Sequence, residues 1–223
     1  MLATVTSALL GARRVPVVRA FMVVSLLAGI TSEVFDRLWA ERVPTDFTLP
    51  SVGVLSDAAT WFTAFALICS LVSLVASKLA NKFAAKSLHA DHPSRVMAGM
   101  LLAQILCVVG FALAPWLWVA LGFRWLRQVC MVLAAPVGRA WLNRNLESRT
   151  RATTLSAMSQ ADALGQVAGG PSFGALAKLA GVATALVSSA IVQLPAVAVL
   201  ARVGAGGQPI DTGRDPDAGE GAR

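Results

Sequence analysis

Tyrosine is absent from this 223-residue chain, and only 14% of its residues are charged, against about a quarter in an average soluble domain. That scarcity excludes an ordinary water-facing surface, because too few polar side chains are present to cover one. Three cysteines, each inside a different apolar run and without CxxC spacing, exclude a disulfide or zinc framework and read as buried thiols. The two histidines stand together as His89 and His92 in "HADH", within a basic loop where a solvated turn explains them better than a metal site. No GxSxG, HExxH or P-loop occurs, and "GAGG" at 204–207 lacks the strand and helix of a dinucleotide site, so neither an enzyme nor a cofactor is expected. Acidic residues are fewer than basic ones, with a net charge of +7. The basic residues form no single patch with interleaved aromatics, which excludes a nucleic-acid groove.

What remains is apolar: 56% of the chain. A window of about 19 residues finds six spanning segments near 15–36, 58–77, 96–115, 116–138, 152–177 and 182–201. The expected fold is all-α, a polytopic membrane protein whose main partner is the lipid bilayer. Ala114 and Pro115 predict a tight hairpin between the third and fourth spans. Residues 1–14 read as a cytoplasmic lead-in with an apolar decamer ahead of Arg13 and Arg14, the reverse of a cleaved signal. Residues 204–223, rich in Gly, Pro and Asp, read as a disordered tail. With the N-terminus inside, only Arg37, Arg42 and Lys178 fall outside and Arg124 and Arg127 within a span, which leaves the rest of the 19 Lys and Arg on the inner side. The positive-inside rule therefore predicts a multi-pass protein with both termini cytoplasmic.

Charges inside spans mark candidate functional residues. In "LLAGITSEVFDRLWAERVPTD", Glu33 lies about 24 Å and Asp36 about 29 Å along the first span, near the outer face of a ~30 Å hydrocarbon layer. Glu33 and Arg37 have the favourable i,i+4 order, and Phe35 and Trp39 suit an interfacial belt. Two readings stay open: a helix-end anchor, or a proton-carrying acid facing an aqueous cavity. Arg127 lies about 16 Å from the outer end of the fourth span and Asp162 about 15 Å from the inner end of the fifth, both at the bilayer midplane. Arg124, Arg127 and Asp162 would together cost on the order of 8 to 10 kcal/mol facing lipid, so they are expected to pair or to line water.

The fifth span carries Gly165, Gly169, Gly170 and Gly174 in overlapping small-xxx-small pairs, with Pro171 permitting a bend. It reads either as a rocking element of a carrier or as static packing. Polar side chains concentrate on four spans: Glu33 on the first, a Ser and Thr series on the second, the two arginines on the fourth, and Gln160, Asp162 and Gln166 on the fifth. The third and sixth are nearly pure hydrocarbon.

"GITSEVFDRLW" followed by "GRAWLNRNLESRTRATTLSAMSQADALGQVAGGPSFGALA" resembles the C-terminal six-helix half of a major facilitator superfamily transporter of the bacterial drug-efflux type, over residues 10–203. The resemblance implies that the first, second, fourth and fifth spans line a central path while the third and sixth are peripheral, in agreement with the polarity pattern. It further implies a secondary transporter of the plasma (inner) membrane, exporting small amphipathic molecules against proton flow, with energy from an ion gradient. A complete member has two such halves, so a truncated gene or a misplaced start is expected, ahead of a half-transporter that pairs with a second half or as a homodimer. A non-transporting six-helix scaffold that packs with a partner chain is the alternative.

Overall fold

A computed structural model describes residues 16–51, 53, 57–88, 93–146 and 151–206. The lead-in 1–14, the HADH motif and the tail beyond residue 206 lie outside the described residues. Among the described residues six helices follow one another: α1 Pro16–Asp46, α2 Ala58–Leu88, α3 Pro93–Leu113, α4 Leu117–Arg144, α5 Arg151–Ala180 and α6 Val182–Gly206. The expected hairpin is present, with Ala114, Pro115 and Trp116 between α3 and α4. Trp116 and Trp118 are exposed at this turn, where amphipathic rings suit a membrane–water boundary.

Five of the helices, α1 to α4 and α6, are long and apolar enough to cross a membrane, as expected of a multi-pass membrane protein. α5 is the exception. Its 30 residues would span about 45 Å, but Gln160, Asp162, Gln166, several Ser and Thr and the glycines hold its hydropathy down.

α1 also departs from expectation. The first span is expected over 15–36, whereas the helix continues unbroken to Asp46. The charged turn does not end the helix because apolar packing carries it on: Val43, fully buried, joins Trp61 and Phe65 of α2 and Leu117 and Leu121 of α4 in a second cluster. Glu33 therefore lies near the helix middle, about 25 Å from Pro16 and about 20 Å from Asp46.

The helices pack in the order α5, α1, α6, α3, α4, α2, each strongly against the next. The main core joins Phe21, Val34, Phe35 and Leu38 of α1 to Leu101, Ile105, Val108 and Phe111 of α3, and to Ala185, Leu186, Ala190 and Leu200 of α6. α3 and α6 thus bridge α1 and α4 from behind, while the backbones of α1 and α4 barely approach one another. α2 leaves Leu67, Leu71, Leu74, Val75 and Leu79 exposed, a surface suited to lipid.

Asp57 caps α2: the Thr60 amide donates to its carboxylate at 2.8 Å, and the Thr60 hydroxyl donates at 3.0 Å. These bonds, the amide first, hold the Asp57 carboxyl below its ordinary 3.8. The cap is therefore at full strength above that value and weakens as pH falls through and below it. Protection of the first α2 amides, relative to the intrinsic exchange rate at each pH, should fall in that window, and Asp57→Ala should lower that protection at neutral pH. An unchanged exchange profile in the variant would remove the capping role.

Candidate functional site

Two clusters of polar side chains share α1. The first faces α5. Glu33 accepts a short hydrogen bond from Nε of Arg37 one turn on, and the two line an open cleft of about 430 Å³ with Gln166, Val167, Gly170 and Pro171. Gln166 Nε2 donates to Asp162 Oδ2 at 2.8 Å, which ties Asp162 to the rim of the same cleft. The Glu33 side chain is 22% exposed and that of Arg37 70%, so both side chains are open to whatever fills the cleft.

Close backbone contact between α1 and α5 creates this cleft. A Cβ at Gly165 would collide with the Leu26 carbonyl oxygen, and one at Gly29 with the Asp162 carbonyl oxygen. A Cβ at Gly169 would stand 2.9 Å from Ile30 Cα. Gly170 instead faces the side chains of Glu33 and Arg37, and Gly174 has open space beside it. Of the four glycines expected to pack, two do, one lines the cleft and one is free. Their partner on α1, Gly29, was missed, although Ser25 and Gly29 form a small-xxx-small pair that announces such a face.

The second cluster fills the gap between α1 and α4. The Arg124 guanidinium lies 3.8 Å from the centroid of the Trp39 ring, and that of Arg127 lies 4.3 Å from the centroid of Phe35. Asp36 is within electrostatic reach of both. Phe35 and Trp39 thus serve as platforms for arginine: Phe35 packs edge-on to Phe111, and Trp39 meets Phe62. Gln128 Nε2 extends the polar strip to α2 by donating to Ser73 Oγ at 3.1 Å.

Asp162 and Arg127 do not pair. No ion pair joins them among the described residues, and Asp162 takes the Gln166 amide instead. Depth along each helix matched, but α4 and α5 are not packed side by side, so the two side chains lie on different interfaces. Gln160 is exposed and joins neither cluster.

Arg42, expected only as one of the few charges on the outer side, has a packing role that the sequence did not show. It is buried, donating from Nη1 to the Phe111 carbonyl at 2.7 Å and from Nη2 to that of Ala114 at 3.2 Å, with Asp46 at 3.1 Å from its Nε. Of the cysteines, Cys107 and Cys130 are buried while Cys69 is partly exposed, and all three are free thiols.

Comparison with protein-family models, curated proteins and solved structures found no match for this chain.

Proposed function

We propose that the chain is one six-helix half of a secondary membrane carrier, resembling the C-terminal half of a major facilitator superfamily transporter, that moves small amphipathic molecules outward against protons. The observation that carries this reading is the cleft between α1 and α5, with the acid Glu33, its partner Arg37 and the Asp162–Gln166 pair at mid-helix. Ionisable groups at that depth are costly in lipid and belong beside water or a substrate. In this reading α5 is the sixth span: it is as long as its neighbours, it lies along α1 through Gly165 and Gly169, and its polar side serves the cleft. The distribution of Lys and Arg supports cytoplasmic termini; the plasma membrane follows only from the resemblance. Asp36 and Arg37 are exposed on α1, and a second six-helix half or a second copy would cover them in this reading.

The carrier reading is tested with the purified chain in lipid vesicles, following an amphipathic fluorescent dye after an imposed pH step. Glu33→Gln keeps the side-chain shape and an acceptor for Arg37 but removes the titratable proton. It should abolish pH-driven dye movement while dye binding survives, with Asp36, Arg37, Asp162 and Gln166 left unchanged around it. Undiminished pH-driven movement by the variant would end the coupling role of Glu33. No movement by the wild-type chain would favour the packing scaffold.

A further inference from the structure

The gap between α1 and α4 holds more positive charge than its neighbours neutralise. Arg124 and Arg127 stand one turn apart on α4, and among the described residues Asp36 is the carboxylate whose field reaches both. Glu33 is taken by Arg37, and Asp162 by Gln166. Arg127 is more than nine-tenths buried and meets the Phe35 ring, and among the described residues no side chain or carbonyl accepts a hydrogen bond from its guanidinium. Arg124 stacks on Trp39, yet its Nε and Nη1 are buried without a partner, as is the neighbouring Trp125 Nε1. Every unpartnered buried side-chain atom described on α4 is therefore an N–H donor. A buried donor without an acceptor is costly, and a guanidinium more so than an amide. The missing component is an acceptor carrying negative charge.

We propose that Arg124 and Arg127 form a binding site for the carboxylate of a small aromatic acid, held between α1 and α4. A planar carboxylate matches the fork of a guanidinium and can take two parallel hydrogen bonds from it. The faces of Phe35 and Trp39 already stack on the arginines, and Phe62 adjoins Trp39, so the surroundings suit a ring attached to the acid rather than a hydrated inorganic ion. The site lies about 15 Å from the outer end of α4, at the level where Asp36 lies about 15 Å from the end of α1. The inference names the cargo class of the carrier proposed above and rests on that reading for its transport consequence. Binding itself does not require movement across the membrane.

The test uses the purified full chain in nanodiscs, with benzoate as the probe and benzylamine and benzyl alcohol as its cationic and neutral counterparts of similar shape. Titration calorimetry at pH 7 should show saturable benzoate binding and none for benzylamine. Arg124→Gln and Arg127→Gln should each weaken benzoate by at least about tenfold, the loss expected when a charge-assisted hydrogen bond is removed. Arg127→Lys should retain part of it. Asp36→Asn removes the competing carboxylate and should tighten benzoate several-fold, a gain that a misfolded variant cannot produce. Equal binding of all three probes, indifference to both Arg→Gln changes, or weaker binding in Asp36→Asn would each overturn the proposal. Benzoate binding without flux in vesicles would remove the carrier reading and leave this site standing. Dye flux without benzoate binding would do the reverse.

Discussion

Gly165→Ala is expected to lower the thermal stability of the folded bundle, and Gly174→Ala, nine residues along the same helix, to raise it. Both changes replace glycine by the best helix former, a gain of about 1 kcal/mol where nothing interferes. At Gly174 nothing lies within 4 Å of the new methyl, so that gain is realised. At Gly165 the methyl meets the backbone carbonyl of Leu26, which cannot swing aside as a side-chain tip can. Overpacking costs about 1 to 3 kcal/mol even where side chains can adjust, and here α1 and α5 must move apart along their shared length. The loss should exceed the helix gain, for a net destabilisation of about 2 kcal/mol. Gly29→Ala should behave alike, since its methyl meets the Asp162 carbonyl. The double variant should cost less than the two singles together, because one separation of the helices accommodates both methyls. Melting of the purified chain in one detergent, followed by loss of the monodisperse peak, checks all four. If Gly165→Ala proved as stable as Gly174→Ala, the close approach of α1 and α5 would be refuted.

The separation also bears on function. The cleft lined by Glu33, Arg37 and Gln166 exists because the two backbones touch below it at Gly29 and Gly165, while Gly170 leaves room for the Glu33 and Arg37 side chains. Spreading the helices should therefore disturb the cleft even in variants that remain folded. That makes these glycines packing residues with a consequence for the site rather than members of it.

Five spanning helices and the α3–α4 hairpin are legible in the sequence because both depend on local features: long apolar runs, and a proline that cannot continue a helix. The extent of α1 is not. A hydropathy window stops at Glu33 and Asp36, whereas the helix continues because Val43 finds Trp61 and Leu117, residues close only in the fold. The Glu33–Arg37 pair is legible because it is an i,i+4 spacing on one helix. Pairing between helices is a different matter. Arg127 and Asp162 lie at similar depths, but depth along a helix does not reveal which helices are neighbours or which way each side chain is turned. Asp162 bonds within its own helix, and Arg127 turns to Phe35 of α1. Polarity singled out α1, α2, α4 and α5, and the polar contacts of both clusters fall on these helices. Composition can show this because a polar side chain inside an apolar bundle must face something other than lipid.

Arg42→Met should be among the most damaging single changes outside the polar clusters, and the reason starts at Pro115. In a continuing helix the Phe111 carbonyl would accept the amide of residue 115, but proline has no N–H to give, and α3 ends at Leu113. That carbonyl is deep in the bundle, beside a Phe111 side chain with no exposure. Arg42 Nη1 takes the place of the missing donor at 2.7 Å, and Nη2 reaches the Ala114 carbonyl at 3.2 Å. Its guanidinium also lies 5.5 Å from the ring centroids of both Phe47 and Phe111. The positive group thus sits at the negative end of the α3 dipole. Methionine keeps the apolar stem but leaves two carbonyls without a donor, and a hydrogen bond to a charged group contributes about 1.5 to 3 kcal/mol. The expected loss is about 3 kcal/mol or more, enough to lower the yield of folded chain. Arg42→Lys keeps the charge but cannot place two donors in a fixed fork, so its loss should be intermediate. Asp46→Asn should matter little, because that carboxylate is 40% exposed and the pair is screened by solvent. Melting temperatures of the three variants should therefore rank Asp46→Asn above Arg42→Lys above Arg42→Met. If Arg42→Met melted no lower than Asp46→Asn, the α3 terminus would be satisfied by other groups, and the two carbonyl contacts of Arg42 would contribute nothing to stability.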